Sequence, residues 1–297
     1  MAEATKRYAV VTGANKGIGF AICKQLASNG ITVVLTARDK KRGLEAVQKL
    51  KHLALPGHVS FHQLDVTDPA SIESLADFIR NQYGKLHILV NNAGIHGAHL
   101  DAEALAAVGV AENASLVDWS KIVTQSYELT EAGLKTNYYG TKELTKALIP
   151  LLQSSRSPKI VNVSSSMGTL ENIPNGWPKE VLSDVENITE EKIDEILNEF
   201  LKDFKEDSLE TKGWPLAIPA YTVSKAALNA YTRILAKKYP SFCINAVCPG
   251  YVKTDLNHNN GILSPDEAAE YAVKLALLPD DSSTSGRFFF RSEEKPF

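Results

Sequence analysis

Tyr8-Ala-Val-Val-Thr-Gly-Ala-Asn-Lys-Gly-Ile-Gly19 is the stretch from which the fold can be read. Tyr8–Val11 is an apolar run suited to a buried parallel strand, and over Gly19–Ser28 the apolar spacing becomes helical. Gly13, Gly17 and Gly19 let backbone approach a ligand at a helix N-terminus, where unpaired N–H groups and the helix dipole favour phosphate. The spacing is not the common Gly-x-Gly-x-x-Gly dinucleotide fingerprint, and a structural turn could use the same glycines. Placement between the first strand and the first helix favours the phosphate reading, with Asn15, Lys16 and Ile18 beside the glycines.

Further apolar runs fall at Thr32–Thr36, Val59–Gln63, Ile88–Val90, Ile160–Val163, Ile244–Val247 and Phe288–Phe290. Helical patterns lie between them at Arg42–Leu53, Ser71–Gln82, Thr130–Leu152, Ala220–Lys238 and Pro265–Leu277. This βαβα alternation predicts an α/β fold, a doubly wound parallel sheet with helices on both faces. Ligands then sit beyond the carboxyl ends of the strands, where strand order reverses.

An NAD site would place Asp or Glu at the end of the second strand for the ribose hydroxyls. Here neutral Ala37 is followed by Arg38, with Arg42 one turn later. Guanidinium groups can hold a ribose 2′-phosphate bidentately, and Asn15 and Lys16 suit it too, so NADP(H) is predicted over NAD(H). Solvated helix-start arginines would look the same. After the third strand, Asp65-Val66 could meet an adenine amino group, or Asp65 could make a turn before Thr67-Asp68-Pro69. The fourth strand ends in Asn91-Asn-Ala-Gly94, where Asn92, Ala93 and Gly94 fit close approach to a ribose.

Tyr221-Thr-Val-Ser-Lys225 puts a phenol and an ammonium one helical turn apart on one face. An adjacent ammonium favours the phenolate, so Tyr221 is expected well below its ordinary pKa of about 10, ready to exchange a proton with a substrate oxygen. An exposed helical pair would show the same spacing. Ser164-Ser-Ser166, at a strand end, could simply satisfy backbone groups; strand alternation would turn Ser165 away from its neighbours.

At 297 residues, 44% hydrophobic and 23% charged, the composition is that of a globular protein. A net charge of −3 gives no general attraction to nucleic acid or to an anionic membrane. No apolar stretch approaches the roughly twenty residues needed to span a bilayer. Met1–Arg7 leads straight into an apolar strand without the longer run of a signal peptide, so the cytoplasm is the expected compartment. Cys23, Cys243 and Cys248 form an odd set without metal-ligand spacing and are expected to be reduced. The histidines predict no metal site either, and the sequons at Asn113, Asn162 and Asn187 are expected to go unused.

In chain order, Thr12–Gly19, Asn91–Gly94, Asn137, Ser165, Tyr221 with Lys225, and Pro249-Gly250 resemble the motif set of the short-chain dehydrogenase/reductase superfamily. The resemblance covers almost the whole chain. Phe61-His-Gln-Leu-Asp65, Asn137-Tyr-Tyr-Gly140, Asn162-Val-Ser-Ser-Ser166 and Leu275-Ala-Leu-Leu-Pro279 narrow it to the plant carbonyl reductases related to salutaridine and menthone reductases. It implies a single Rossmann-type domain over residues 1–297 with about seven strands. It implies that Tyr221 protonates a carbonyl oxygen, that Ser165 hydrogen-bonds that oxygen, and that Lys225 holds the nicotinamide ribose and lowers the Tyr221 pKa. Asn137 would hold a water linking Lys225 to solvent, and Pro249, Gly250, Val252 and Thr254 would meet NADPH/NADP+, Thr254 at the carboxamide.

An inserted segment at about 170–218 separates Ser165 from Tyr221, which are close in most members. It contains an amphipathic helix, read as capped by Asn187 with Glu190 and presenting Ile193, Ile196, Leu197, Phe200, Leu201 and Phe204. Such a helix could merely pack on its own domain; the resemblance implies that it covers the surface other members use to form tetramers, predicting a monomer. By resemblance again, Ala98, Leu100, Asp101, Leu170, Tyr251, Leu256, Asn257 and Asn260 line the substrate pocket. His96, His99 and His258 surround its mouth and read as surface residues rather than catalysts. Trp177 and Trp214 flank the inserted helix as packing or lid residues.

The expected activity is NADPH-dependent reduction of a small-molecule ketone or aldehyde, by resemblance a cyclic terpenoid or alkaloid ketone. Enone double-bond reduction is the alternative, but relatives with that chemistry replace the tyrosine by an acid. A non-catalytic NADP(H)-binding sensor would need the glycine loop and not Tyr221.

Overall fold

The computed structural model describes residues 6–108 and 121–297, so the sequon at Asn113 lies outside the described residues. The chain runs β1 (Tyr8–Val11), α1 (Gly17–Ser28), β2 (Thr32–Ala37), α2 (Lys40–Lys51), β3 (Val59–Gln63), α3 (Pro69–Tyr83) and β4 (Ile88–Asn91). A ribbon of β5 (His99–Leu100) and β6 (Val123–Thr124) follows, with α4 (Ala102–Val108) between them in sequence. Next come α5 (Tyr127–Leu134), a π-helical segment (Lys135–Gly140), α6 (Thr141–Gln153) and β7 (Lys159–Val163). The inserted segment carries α7 (Trp177–Ser183) and α8 (Glu190–Lys205). The chain closes with α9 (Pro219–Lys238), β8 (Cys243–Cys248), α10 (Pro265–Ala276), β9 (Arg287–Phe290) and β10 (Glu293–Lys295).

The sheet order is β3-β2-β1-β4-β7-β8-β9-β10, parallel as far as β9. Strand order reverses between β1 and β4, which places the binding crevice beyond their carboxyl ends. One apolar cluster joins Val10, Leu89 and Ile160 to α3, α6, α8 and α9; the other joins Val11, Val33 and Val90 to α1, α2 and α10. An eighth strand corrects the expected seven: β10 folds back antiparallel, Glu293 opposite Phe290. Its exposed Glu293-Glu-Lys295 carries no apolar signal because an edge strand needs none.

Thr130–Leu152 is not one helix. The π segment Lys135–Gly140 interrupts it where Gly140 presses on the turn after β3; a Cβ there would stand 2.6 Å from the Val66 carbonyl oxygen. Helical periodicity continues on either side, so the sequence pattern does not reveal the widened turn.

Helix α8 is capped by Thr189, whose hydroxyl accepts from Lys192 N, and not by Asn187, whose amide is bonded to the Asp184 carboxylate. Ile193, Ile196, Leu197 and Phe200 are buried in the main core, with Leu201 and Phe204 partly so. Each full burial stabilises by about 1.5–3 kcal/mol. On the other side Glu190 meets Lys146 at 3.0 Å and Lys142 and Lys238 at 3.7 Å, while buried Lys142 also reaches Asp194 at 2.7 Å. Trp214 is buried and donates through Nε1 to Asp203 at 2.8 Å, which makes it a packing residue; Trp177 is exposed.

All three cysteines are free and buried. Asn162 is fully buried between β4 and β8, accepting from Asn91 and donating to Thr232, whereas Asn187 is exposed. Among the described residues no helix is long and apolar enough to cross a membrane, and no cluster of ligating side chains could hold a metal.

Candidate active site

The turn after β1 is fastened to the end of β4. Thr12 Oγ1 accepts from Asn92 N and Ala93 N, both at 2.9 Å, and Asn92 Nδ2 donates to the Thr12 and Gly13 carbonyls at 2.8 and 3.2 Å. Gly13, at φ +60°, lies so close to Ala93 that a Cβ would come within 2.9 Å of its Cα. Gly17, at φ +57°, opens α1, with Thr254 3.4 Å from where a Cβ would be. Gly19 is buried in the first turn behind Ile18. Asp39, Asp68 and Ser264 cap α2, α3 and α10, but Lys16 makes no side-chain cap on α1 and no acid occupies its first turn. The first N–H groups of α1 are thus left for an anion, in a cradle that side chains would fill.

Around this cradle, Asn15 is half-buried, and Arg38 and Arg42 are exposed beyond β2. Arg42 lies 3.7 Å from Asp39. Lys16 reaches Asp255 across the cleft at 2.6 Å, an exposed ion pair of the kind worth about 0–1 kcal/mol and easily exchanged for a phosphate. Asp65 accepts through Oδ1 from Thr67 N and Oγ1 at 2.9 and 2.7 Å, so that oxygen builds a turn; Val66 is buried behind it. Pro249 and Gly250 follow β8, and buried Val252 pairs with Leu263.

Helix α9, with Pro219 in its first turn, carries Tyr221 and Lys225 to the ends of β4 and β7. Ser165 stands near enough to the Tyr221 phenol to favour its ionised form, and its own Oγ accepts from Met167 N at 3.1 Å. Lys225 Nζ donates to the Val163 carbonyl at 2.9 Å and stands 5.6 Å from the centre of the Tyr221 ring. A Cβ on Gly94 would lie 3.3 Å from Asn137 Oδ1 and 3.5 Å from Lys225 Nζ. Asn137 sits in the π segment and accepts from Ile95 N at 2.9 Å, while donating to Ile95 O at 2.8 Å and Ser224 Oγ at 2.9 Å. Asn137, Ser165, Tyr221 and Lys225 therefore converge. Strand β7 stops at Val163, and Ser164 turns away to donate to Asn229 at 2.7 Å.

Burial pushes the Tyr221 phenol above its ordinary range, Cys248 adds to this, and Ser165 opposes it. The expected lowering by Lys225 does not appear: burial governs the phenol, and the ammonium, 5.6 Å from the ring centre, donates to Val163 instead. Burial brings Lys225 itself down to about 8, with Cys248 opposing. His96 corrects its surface reading: its ring is half-buried and edge-on to Tyr221, centroids 5.1 Å apart. Burial, then Lys225 and His258, bring it down to about 4. His99 is exposed, and His258 Nε2 lies 3.1 Å from the Leu100 carbonyl oxygen.

The residues expected to line the pocket lie in β5 and in the segments after β4, β7 and β8. Leu100 is buried with Leu105, Ile122 and Ile218, and Ala98 packs against them. Asp101 accepts from Ala104 N at the start of α4, and Asn260 donates to the Leu105 carbonyl. Buried Asn257 bonds Thr254 N and the Val252 and Asn260 carbonyls. Leu170 packs on the main core, Tyr251 is half-buried and Leu256 exposed. A cavity of about 370 Å³ lies between Met167 and Thr222, bounded also by Trp214, Pro215 and Leu216, outside the expected set. Asn229 was also missed. Asn229 had a signal, since it follows Lys225 by four residues on the same helix face and donates to the Gly168 carbonyl.

The family model described as short chain dehydrogenase matches residues 7–176, and that described as Enoyl-(Acyl carrier protein) reductase matches residues 208–284. The (+)-neomenthol dehydrogenase of Arabidopsis thaliana is 58% identical, covering 100% of both chains. The structure of salutaridine reductase from Papaver somniferum is similar at a TM-score of 0.89 and 52% identity, covering 96% of this chain and 99% of that one. The NADPH carbonyl reductase 1 of Mus musculus is 38% identical over 99% of this chain and 100% of its own.

Proposed function

The chain belongs to the short-chain dehydrogenase family of oxidoreductases, which work with a nicotinamide cofactor, and we propose that it is a carbonyl reductase using NADPH. The grouping of Tyr221 and Ser165 carries this reading, because it brings two hydroxyl donors together beside Lys225. The uncapped start of α1, Gly17 and Gly94 fit the phosphates and ribose, and Lys16, Arg38 and Arg42 favour the extra phosphate of NADPH. When bound, NADPH supplies the hydride for the carbonyl carbon.

Raised by burial, Tyr221 is protonated at neutral pH and acts as the general acid toward the carbonyl oxygen. Ser165 gives that oxygen a second hydrogen bond. Both bonds strengthen as negative charge builds on the oxygen, which stabilises the transition state more than the bound ketone. Lys225, close to 8, is poised to hold the ribose hydroxyls and return a proton toward Tyr221. Asn137 has both amide hydrogens committed and keeps one Oδ1 lone pair for a relaying water, while fixing Ile95 and Ser224 around Lys225.

The names of the relatives, a neomenthol dehydrogenase and a salutaridine reductase, support a cyclic terpenoid or alkaloid ketone as substrate. Since α8 is docked over α9 through the core and Glu190, the protein acts as a monomer. Incubation with NADPH and a panel of cyclic ketones tests the activity: the expected result is NADPH oxidation with an alcohol product identified by mass. Saturated ketone from an enone, or binding without turnover of any carbonyl compound, would overturn it.

A further inference from the structure

The loop after β4 is held at two points with His96 between them. Ile95 is bonded through both N–H and C=O to Asn137. Gly97, at φ +66°, packs closely on the backbone of α5 and on Ala220 of α9: a Cβ there would stand 3.0 Å from Ala220 Cβ and 3.1 Å from Gly133 Cα. Ala220 immediately precedes Tyr221, so the same contact fixes His96 relative to the phenol, edge-on with centroids 5.1 Å apart. The imidazole has no hydrogen-bond partner among the described residues. The half-buried ring therefore leaves its nitrogens for water or for a bound group.

We propose that His96 is a specificity-determining residue whose imidazole hydrogen-bonds a hydroxyl group on the substrate, so that preferred substrates are cyclic ketones with a hydroxyl on the carbon next to the carbonyl. A hydroxyl both donates and accepts, and therefore suits either neutral tautomer of the ring. Burial and the nearby Lys225 and His258 keep the ring neutral at physiological pH. The inference rests on the carbonyl-reductase reading.

The test compares 2-hydroxycyclohexanone with cyclohexanone as NADPH-dependent substrates of the wild type, His96→Phe and His96→Gln. One well-placed hydrogen bond gives the wild type roughly a tenfold preference in kcat/KM for the hydroxyketone. In His96→Phe, which keeps an aromatic ring against Tyr221, the ratio falls to near one. His96→Gln restores part of it, which separates a lost hydrogen bond from a disturbed fold. A wild type indifferent to the hydroxyl, or a Phe variant with the wild-type ratio, overturns the proposal. Calorimetric titration of the same ketones into NADPH-loaded protein gives the ratio without turnover. If neither ketone is reduced, the reductase reading fails, while the ratio of Kd values still decides for or against His96.

Discussion

The Lys225 ammonium lies over the face of the Tyr221 ring, 5.6 Å from its centre, and donates to the Val163 carbonyl. From there it does not touch the phenolic oxygen, and burial governs both groups, raising Tyr221 and lowering Lys225. At neutral pH the pair therefore begins with a protonated phenol, the form that reduction of a carbonyl requires. Tyr221→Phe keeps the ring and removes the donor. It should lower kcat by roughly 10²–10⁴-fold, while NADPH still binds as read by fluorescence titration. A variant with near wild-type kcat would leave the mechanism without its acid.

Lys225 also predicts how stability responds to pH. Its pKa falls from 10.5 to about 8 on folding. Below 8 it carries its proton in both states, and burial of the charge opposes folding. Between about 8 and 10.5 the unfolded chain holds more protons than the folded one, so this group's contribution makes stability rise with pH. Lys225→Met lacks that rise. The difference in Tm, variant minus wild type, should therefore shrink as pH increases from 8 to 10.5; a constant difference would contradict the burial argument.

Cofactor preference should reside in charge beyond β2. Arg38 is exposed there, and Asp39 beside it is engaged in capping α2. Arg38→Asp exchanges a phosphate donor for a carboxylate that repels phosphate and suits ribose hydroxyls. The ratio of kcat/KM for NADPH over NADH should fall by about tenfold or more, as expected for losing one charge-assisted contact. An unchanged ratio would shift the assignment to Lys16 and Arg42.

Much of this was legible in the sequence because buried parallel strands are continuous apolar runs. Tyr8–Val11 and Val59–Gln63 fall where the alternation puts them, and the motif loops follow the strand ends. What was not legible depends on contacts across the chain. The π turn around Asn137 coincides with the close approach of Gly140 to Val66, and helical periodicity is blind to that contact. Asn187 and Thr189 are both good capping residues, and only the packing of α8 chooses Thr189. The raised pKa of Tyr221 follows chiefly from its depth, which a spacing of four does not encode. His96 has no local signal, since Gly97, Gly133 and Ala220 bring its loop to Tyr221 from three separate elements.

The docking of α8 rests on Glu190, which is mostly buried and shared by Lys142, Lys146 and Lys238. Glu190→Gln leaves Lys142 with Asp194 but strips the other two of their common partner. A loss of about 1–3 kcal/mol is expected, visible as a Tm lower by several degrees. The wild type should sediment with the mass of one chain, since α8 covers α9. A wild-type tetramer would rule out that role for α8.

Two glycines with similar backbone angles separate strain from contact. Gly30 has φ +76° and nothing within 4 Å of where a methyl group would stand, whereas Gly97 has φ +66° and meets Gly133 and Ala220. Gly30→Ala should therefore show only the left-handed backbone penalty, about 1 kcal/mol. Gly97→Ala adds overpacking between the loop and two helices, about 1–3 kcal/mol more. Urea denaturation measures both. Because the Gly97 contact also sets His96 against Tyr221, only Gly97→Ala should lower kcat/KM. Equal destabilisation by the two substitutions would mean that the loop is free to move off α9, and the positioning of His96 would lose its physical basis.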